Sequence, residues 1–208
     1  MKQRQPQATN FIKRTGVTLF LVWTFMAAVS LVWNIRELRH EILREVAAEA
    51  RAHLELNVAY RKVIGSFGGV YVPSREIAPN PYLQVPNRDI ATTDGQRLTL
   101  INASHMIRTV FAYQRTKSPE PVLNKLVSRN PLNPVNAADA WETEALRSFE
   151  NGRQEASETS MIDGKSYFRM IMPFATEQGC LKCHASHGHQ LGDIRGGISI
   201  SVPMGPYF

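Results

Sequence analysis

The strongest hydrophobic signal in the chain is an uninterrupted segment near the N-terminus. Residues 15–35 contain no charged side chain, and an α-helix needs about 20 such residues to span a bilayer. Trp23 and Trp33 lie within the segment, and Trp33 is near its far end, where an indole suits the membrane interface. We therefore predict a transmembrane anchor over residues 15–35. A cleaved signal peptide is the alternative, with Ala28-Val29-Ser30 as a poor cleavage site, but the apolar run continues to Ile35 and its length favours an anchor.

Beyond this segment, apolar residues recur every three or four positions while Arg, Glu and His occupy the other positions. This spacing predicts a long helix from about Arg36 to Val63 that continues the membrane helix outward. Such a helix either packs against the following domain or transmits a conformational signal, and periodicity does not distinguish the two. The apolar positions are Ile35, Leu38, Ile42, Val46, Ala50, Leu54 and Val58.

After Gly68-Gly69 the pattern changes to short strands separated by turns. A first strand is predicted to stop at Pro73, which has no amide hydrogen for a ladder. Asp94-Gly95 and Asp163-Gly164 are tight-turn pairs, and each predicts a β-hairpin. Gly196-Gly197 precedes a last strand. The predicted strands cover residues 70–72, 90–93, 98–101, 157–162, 166–173 and 198–202.

Two shorter helices are predicted between the hairpins. Asn102 or Ser104 can cap a helix that continues to about Gln114. Asn136 is expected to cap a second helix over residues 137–149, which Asn151-Gly152 closes. The elements do not alternate as βαβ units, so the fold class is α+β, with a small antiparallel sheet and helices beside it.

Charge is distributed unevenly along the chain. The net charge is +6, from 24 basic and 18 acidic residues, and the four basic residues that precede the apolar segment account for most of it. By the positive-inside rule, residues 1–14 stay in the cytoplasm and residues 36–208 form one periplasmic domain of a single-pass protein in the bacterial inner membrane. The basic pI therefore reflects topology, and no nucleic-acid partner is expected.

The only two cysteines lie in the run Cys180-Leu181-Lys182-Cys183-His184. A Cys-x-x-Cys-His run is how a polypeptide holds a c-type haem: the two thiols add across the haem vinyl groups, and the following residue falls under the iron. A neutral imidazole suits haem iron as the proximal ligand. The motif therefore predicts haem c as the cofactor, with Cys180 and Cys183 as attachment sites and His184 as the axial ligand.

Two other interpretations of this run have to be considered. With His187 and His189 the cysteines could complete a Cys2His2 zinc site, and a Cys-x-x-Cys can also be a redox dithiol. Covalent haem attachment is completed outside the bacterial cytoplasmic membrane, so it requires an export signal, whereas a cytosolic zinc site does not. Residues 15–35 provide such a signal, which favours haem.

Several motifs in order resemble the PAS-like c-type haem sensor domain found in bacterial membrane sensors, and the resemblance covers about Arg36 to Pro203. It implies a PAS-like antiparallel sheet with flanking helices, one covalent haem, and a second membrane helix followed by a kinase or similar output. The chain ends at Phe208, where that second helix would begin, so we expect either a fragment or a protein without its own output domain. The motifs are Gly69-Val-Tyr-Val-Pro73, Pro79-Asn-Pro-Tyr82, Asn102 to Arg108, Asn130-Pro131 with Asn133-Pro134, Trp141-Glu142, Cys180 to His184 and Gly192-Asp-Ile-Arg-Gly-Gly197.

The remaining haem contacts are predicted with less specific signals. Some members of the family use a cysteine as sixth ligand, but this chain has no third cysteine. His105 and Met106 are neighbours on a helix and point about 100° apart, so only one can face the iron; the family pattern favours Met106. A core methionine beside a surface histidine is the alternative. Arg108 and Arg195 are candidates to pair with the haem propionates, because a guanidinium matches a carboxylate in bidentate geometry.

These observations predict a membrane-anchored, periplasmic c-type haem sensor of redox state or of a small diatomic ligand. A membrane-tethered monohaem electron-transfer cytochrome is the alternative. No acid-base constellation stands out beyond the haem, so we do not expect an enzyme. The expected partners are the membrane, a sensor kinase or another output protein, and a second copy of the chain in a homodimer.

Overall fold

The computed structural model describes residues 5–176 and 190–207, except for the side chains of residues 5–9 and of Arg195. The chain divides into two compact units, Met1–Glu45 and Val46–Phe208. The first unit is helical throughout its described residues. The second is a mixed unit of helices and antiparallel strands, so the α+β class is confirmed.

Helix α1 is a single helix of 62 residues, Gln5–Ser66. Within it lies the one described segment that is long and apolar enough to cross a membrane, and no part of that apolar window is buried inside the structure. A signal sequence near an N-terminus has the same properties. In the second unit, the helix turns a buried face formed by Val46, Ala50 and Leu54 toward the core. The predicted continuation of the apolar helix beyond residue 35 is thus confirmed.

The first sheet has three antiparallel strands in the order β1-β3-β2. Strand β1 is Val70–Pro73, β2 is Asp89–Ala91 and β3 is Arg97–Ile101. The predicted hairpin at Asp94-Gly95 joins β2 and β3, with Gly95 at a φ of 83°. Pro73 ends the outer strand β1. A residue without an amide hydrogen is tolerated there, because an edge strand has a partner on one side only.

The second sheet has four antiparallel strands in the order β4-β7-β6-β5. The turn Asp163-Gly164 joins β5 to β6 as predicted, and both of its residues have positive φ, which the twist of a tight hairpin requires. Strand β7 returns between β4 and β6. The strand bounds are β4 Leu123–Val127, β5 Ala156–Ile162, β6 Lys165–Ala175 and β7 Ile194–Pro203.

Helices cover both faces of the four-stranded sheet. On one face, α3 (Ala140–Glu150) packs Phe149 and Leu146 against Val127 and Ile171. On the other face, Asn57 of α1 donates a 3.0 Å hydrogen bond to Asn124 of β4. Helix α2 (Ala103–Arg115) buries Ile107 and Phe111, and the Phe111 ring lies 6.3 Å from that of His53 on α1.

Two features of the secondary structure differ from the sequence-based prediction. Asn136 does not cap α3: it ends a short 3₁₀ turn, and the helix begins after Asp139. Asp139 accepts from the backbone N–H of Glu142, whose carboxylate accepts in return from the backbone N–H of Asp139. This reciprocal capping box satisfies two backbone donors at once. Strand β4 was not predicted. The prediction that Asn102 or Ser104 caps α2 is confirmed, and the cap is Asn102.

Gly196 lets β4 approach β7, and we predict that Gly196→Ala destabilises the second unit. An added Cβ would lie 2.1 Å from the Val127 carbonyl oxygen, which belongs to the backbone and cannot rotate away. We expect a loss of about 1–3 kcal/mol of unfolding free energy, as for other overpacked sites, measured by urea denaturation of the full chain in detergent. Gly65→Ala is the control, because its Cβ would meet open space. Equal stability of the two variants would contradict the prediction.

Candidate functional site

The family motifs of α2 and of two loops meet at one cavity in the second unit. Its volume is about 300 Å³, and α1, α2, β4 and β6 contribute to its wall together with the loops. Its apolar part includes Leu83, Leu126, Val127 and Phe174. Its polar part consists of amides, hydroxyls and two guanidiniums. The main polar lining residues are Arg61, Asn80, Asn102, Ser104, Arg108, Asn133 and Asn136.

The N-terminal turn of α2 provides one side of the cavity. The Asn102 side chain accepts a 2.9 Å hydrogen bond from the backbone N–H of His105 and thereby starts the helix at Ala103. Ser104 and Arg108 follow one turn apart, so both lie on the same helix face. The cap thus determines which residues of the predicted motif line the cavity.

Arg108 is half-buried in this wall. Its Nη1 lies 3.5 Å from Asn136 Oδ1, and no carboxylate among the described residues pairs with it. Burial lowers the pKa of Arg108 from its usual value, and no acid among the described residues counteracts this. A partly buried cation without an acidic partner favours an anionic group beside it.

Arg61 is the second cation of the wall, and it was not predicted from the sequence. Its Nη1 donates a 3.2 Å hydrogen bond to Ser104 Oγ on α2, and its guanidinium carbon lies 4.7 Å from the centre of the Phe174 ring on β6. The helical period of α1 places Arg61 three residues before the buried Ile64 and four after the buried Asn57. That spacing was the one available signal that this arginine points inward.

The loops that close the cavity are held by local hydrogen bonds. The Asn80 side chain accepts from the backbone N–H of Tyr82 at 3.1 Å, and the Asn80 backbone carbonyl accepts from the Arg88 side chain at 3.2 Å. Asn133 accepts from the backbone N–H of Val135 at 3.1 Å. Asparagine commonly stabilises turns in this way. The Pro79-Asn-Pro-Tyr and Asn-Pro motifs therefore shape the loops that line the cavity.

The cavity lies at the described end of β6, after which the chain continues to the Cys-x-x-Cys-His motif. Phe174 is in its wall, and two residues later the backbone N–H of Thr176 donates to the Asp193 carbonyl at 2.8 Å. The Thr176 carbonyl accepts in turn from Gly192 at 3.0 Å. These two bonds bring the ends of the β6–β7 connection together. Cys180, Cys183, His184, His187 and His189 lie outside the described residues.

The two candidates for a sixth ligand lie on α2. Met106 and His105 are both half-buried. Neither belongs to the described residues that line the cavity. Within the described structure, His105 Nδ1 is buried without a hydrogen-bond partner. Burial, and then the charge of Arg108, lower the pKa of His105 below its ordinary range. Sixth ligation by Met106 stays a prediction, as does the role of Arg195, whose side chain is not described.

A zinc site is not formed by the described part of the chain. Within residues 5–176 and 190–207, no three His, Cys, Asp or Glu side chains are grouped so that they could hold a metal ion. The predicted zinc alternative used Cys180, Cys183, His187 and His189, which all lie outside these ranges.

Comparison with known proteins identifies the family. The Tll0287-like family model matches residues 39–203, which include every motif on which the resemblance was based, and the chain belongs to this family. A similar solved structure is the crystal structure of the cyanobacterial haem protein Tll0287, with 16% identity, 76% of this chain and 95% of that chain covered, and a TM-score of 0.47. None of the curated proteins matches the chain. The predicted family membership is confirmed.

Proposed function

We propose that the chain carries one covalent haem c, attached through Cys180 and Cys183 with His184 as axial ligand. The observation that supports this most directly is the position of the cavity at the base of the β6–β7 connection that bears the motif. Membership of the family of a haem protein supports the same assignment. When bound, haem iron supplies one-electron redox chemistry and a site for a sixth ligand.

The cavity has the chemical character that this cofactor requires. A haem has a flat apolar ring and two propionate carboxylates. Leu83, Leu126 and Phe174 offer apolar surface, while Arg61 and Arg108 offer guanidiniums suited to carboxylates. The described lining contains no carboxylate that would repel the propionates. The described residues of the site therefore fit a haem.

We also propose that residues 15–35 anchor the protein in the bacterial inner membrane, with a PAS-like domain in the periplasm. The exposed apolar part of α1 and the basic residues before it support the anchor. The four-stranded antiparallel sheet with helices on both faces supports a PAS-like arrangement. A covalent haem requires the same outward topology.

The proposed role is that of a sensor of redox state or of a diatomic ligand. A change of iron charge or loss of the sixth ligand can bias a two-state domain only if the two states interact differently with the haem. The cavity wall combines residues from α1, α2 and β6, so a change in the haem environment reaches three elements directly. A sensor kinase, another output protein or a second copy of this chain is the proposed recipient of the signal.

One experiment tests attachment, location and role together. The full chain, produced with a cytochrome c maturation system, should give the thioether-linked pyridine haemochrome band in detergent-solubilised membranes. As a sensor it should bind CO or NO, or change ligands between its redox states. A colourless protein or stoichiometric zinc would contradict the haem, and haem only in the soluble fraction would contradict the anchor. A six-coordinate spectrum in both redox states without a response to CO or NO would indicate electron transfer instead.

A further inference from the structure

Arg61 connects three elements of the cavity wall. It belongs to α1, it donates to Ser104 of α2 at 3.2 Å, and it stacks on Phe174 of β6 at 4.7 Å. Phe174 is two residues before Thr176, the last described residue after β6. Arg61 is therefore placed next to the root of the cysteine-bearing segment.

The geometry of this contact suits recognition of a carboxylate. The guanidinium carbon lies over the Phe174 ring, and a guanidinium fork has the planar geometry that matches a carboxylate. A guanidinium has five N–H donors in a fixed fork, and two of them can bind the two oxygens of one carboxylate in parallel. The stack also limits the rotation of the fork, so less conformational freedom is lost when an acceptor binds.

The electrostatic setting points to the same kind of ligand. Arg61 and Arg108 line one cavity, in which the other described polar residues carry neutral amides and hydroxyls. Two like charges around a shared, partly enclosed space are stabilised by an anion between or beside them. A single inorganic anion would satisfy the charge, but the apolar wall of Leu83, Leu126 and Phe174 favours a ligand with an apolar body.

We propose that Arg61 binds a propionate carboxylate of the haem and, through its charge, raises the reduction potential of the iron. This inference rests on the proposed covalent haem. A cation near the haem disfavours the ferric state, which carries one more positive charge than the ferrous state. Removal of the charge should therefore stabilise the ferric state and lower the potential.

The test is spectroelectrochemical titration of the matured full chain and its Arg61→Gln variant. We expect the haemochrome band to stay, while the ferric-to-ferrous ratio at a given potential rises about tenfold, which corresponds to a decrease of about 59 mV. Arg51→Gln is the matched control, since it removes a guanidinium from the same helix. Arg51 pairs with Glu155 at an exposed position outside the cavity. The control should keep the wild-type potential.

A second variant covers the case in which Arg61→Gln does not mature. Arg61→Lys keeps the charge but loses the planar fork, so the propionate bending modes in the resonance Raman spectrum should shift while the potential changes less. Unchanged propionate modes in Arg61→Lys, or an unchanged potential in a haem-loaded Arg61→Gln protein, would overturn the role of Arg61. Failure of the proposed function is a separate result, because wild-type protein would then carry no thioether-linked haem.

Discussion

Replacement of both Cys180 and Cys183 by serine should abolish covalent haem attachment. A serine hydroxyl does not form the thioether that a thiol forms with a vinyl group, so both links are lost. After maturation, haem should be fully extracted from the double variant by acidified acetone, whereas wild-type protein should retain it. Haem staining of denatured protein on a gel provides the measurement.

Two further variants make this result specific to attachment. Each single serine variant should keep one thioether and show a haemochrome band displaced toward that of a haem with one free vinyl group. Met106→Leu should keep both covalent links, because a sixth ligand is not needed for attachment, and its spectrum would reveal whether Met106 binds iron. Covalent haem in the double variant would show that the motif is not the attachment site.

Glu142→Ala should be the most destabilising substitution outside the haem site. Glu142 has only 2% of its side chain exposed; it lies 2.8 Å from Lys125 Nζ and 3.3 Å from Arg169 Nη2. It also accepts from the backbone N–H of Asp139. Its removal takes one carboxylate partner from the largely buried Arg169 guanidinium and breaks the capping box of α3. Breaking a buried pair in this way costs about 3–5 kcal/mol.

Glu144→Ala is the control for this prediction. Glu144 lies on the same helix and pairs with Arg147, but both side chains are mostly exposed, at 75% and 60%. Such a surface pair contributes about 0–1 kcal/mol. Urea denaturation of the full chain in detergent should therefore separate the two variants clearly. Similar unfolding free energies would show that the Glu142 network does not stabilise the domain.

The sequence predicted the local elements well because their signals are local. Both Asp-Gly hairpins form where expected, since the positive φ found at Gly95, Asp163 and Gly164 selects such residues wherever they stand in the chain. The predicted start of α3 was wrong because Asn136 and Asp139 are both good capping residues. Only the reciprocal bonds with Glu142 decide between them. Strand β4 was missed because its burial comes from its pairing with the distant strand β7.

The candidate site was predicted in part for the same reason. The Cys-x-x-Cys-His run and the motif residues Asn102, Asn133 and Arg108 are recognisable one by one. The tertiary structure brings Asn102, Asn133 and Arg108 to the wall of a single cavity. Arg61 was not predicted. Its spacing from Asn57 and Ile64 was the one available signal, and the burial of those two residues is known only from the tertiary structure.

By itself, the sequence determined the α+β class, the long apolar helix, the two hairpins and the family. Those features depend on residue spacing and on turn chemistry, which act over a few positions along the chain. Only the tertiary structure decided the strand order β4-β7-β6-β5 and the meeting of Arg61, Ser104 and Phe174. The contacts of Arg61 join residues that are 43 or more positions apart, and they arise only when helices pack on the faces of one sheet.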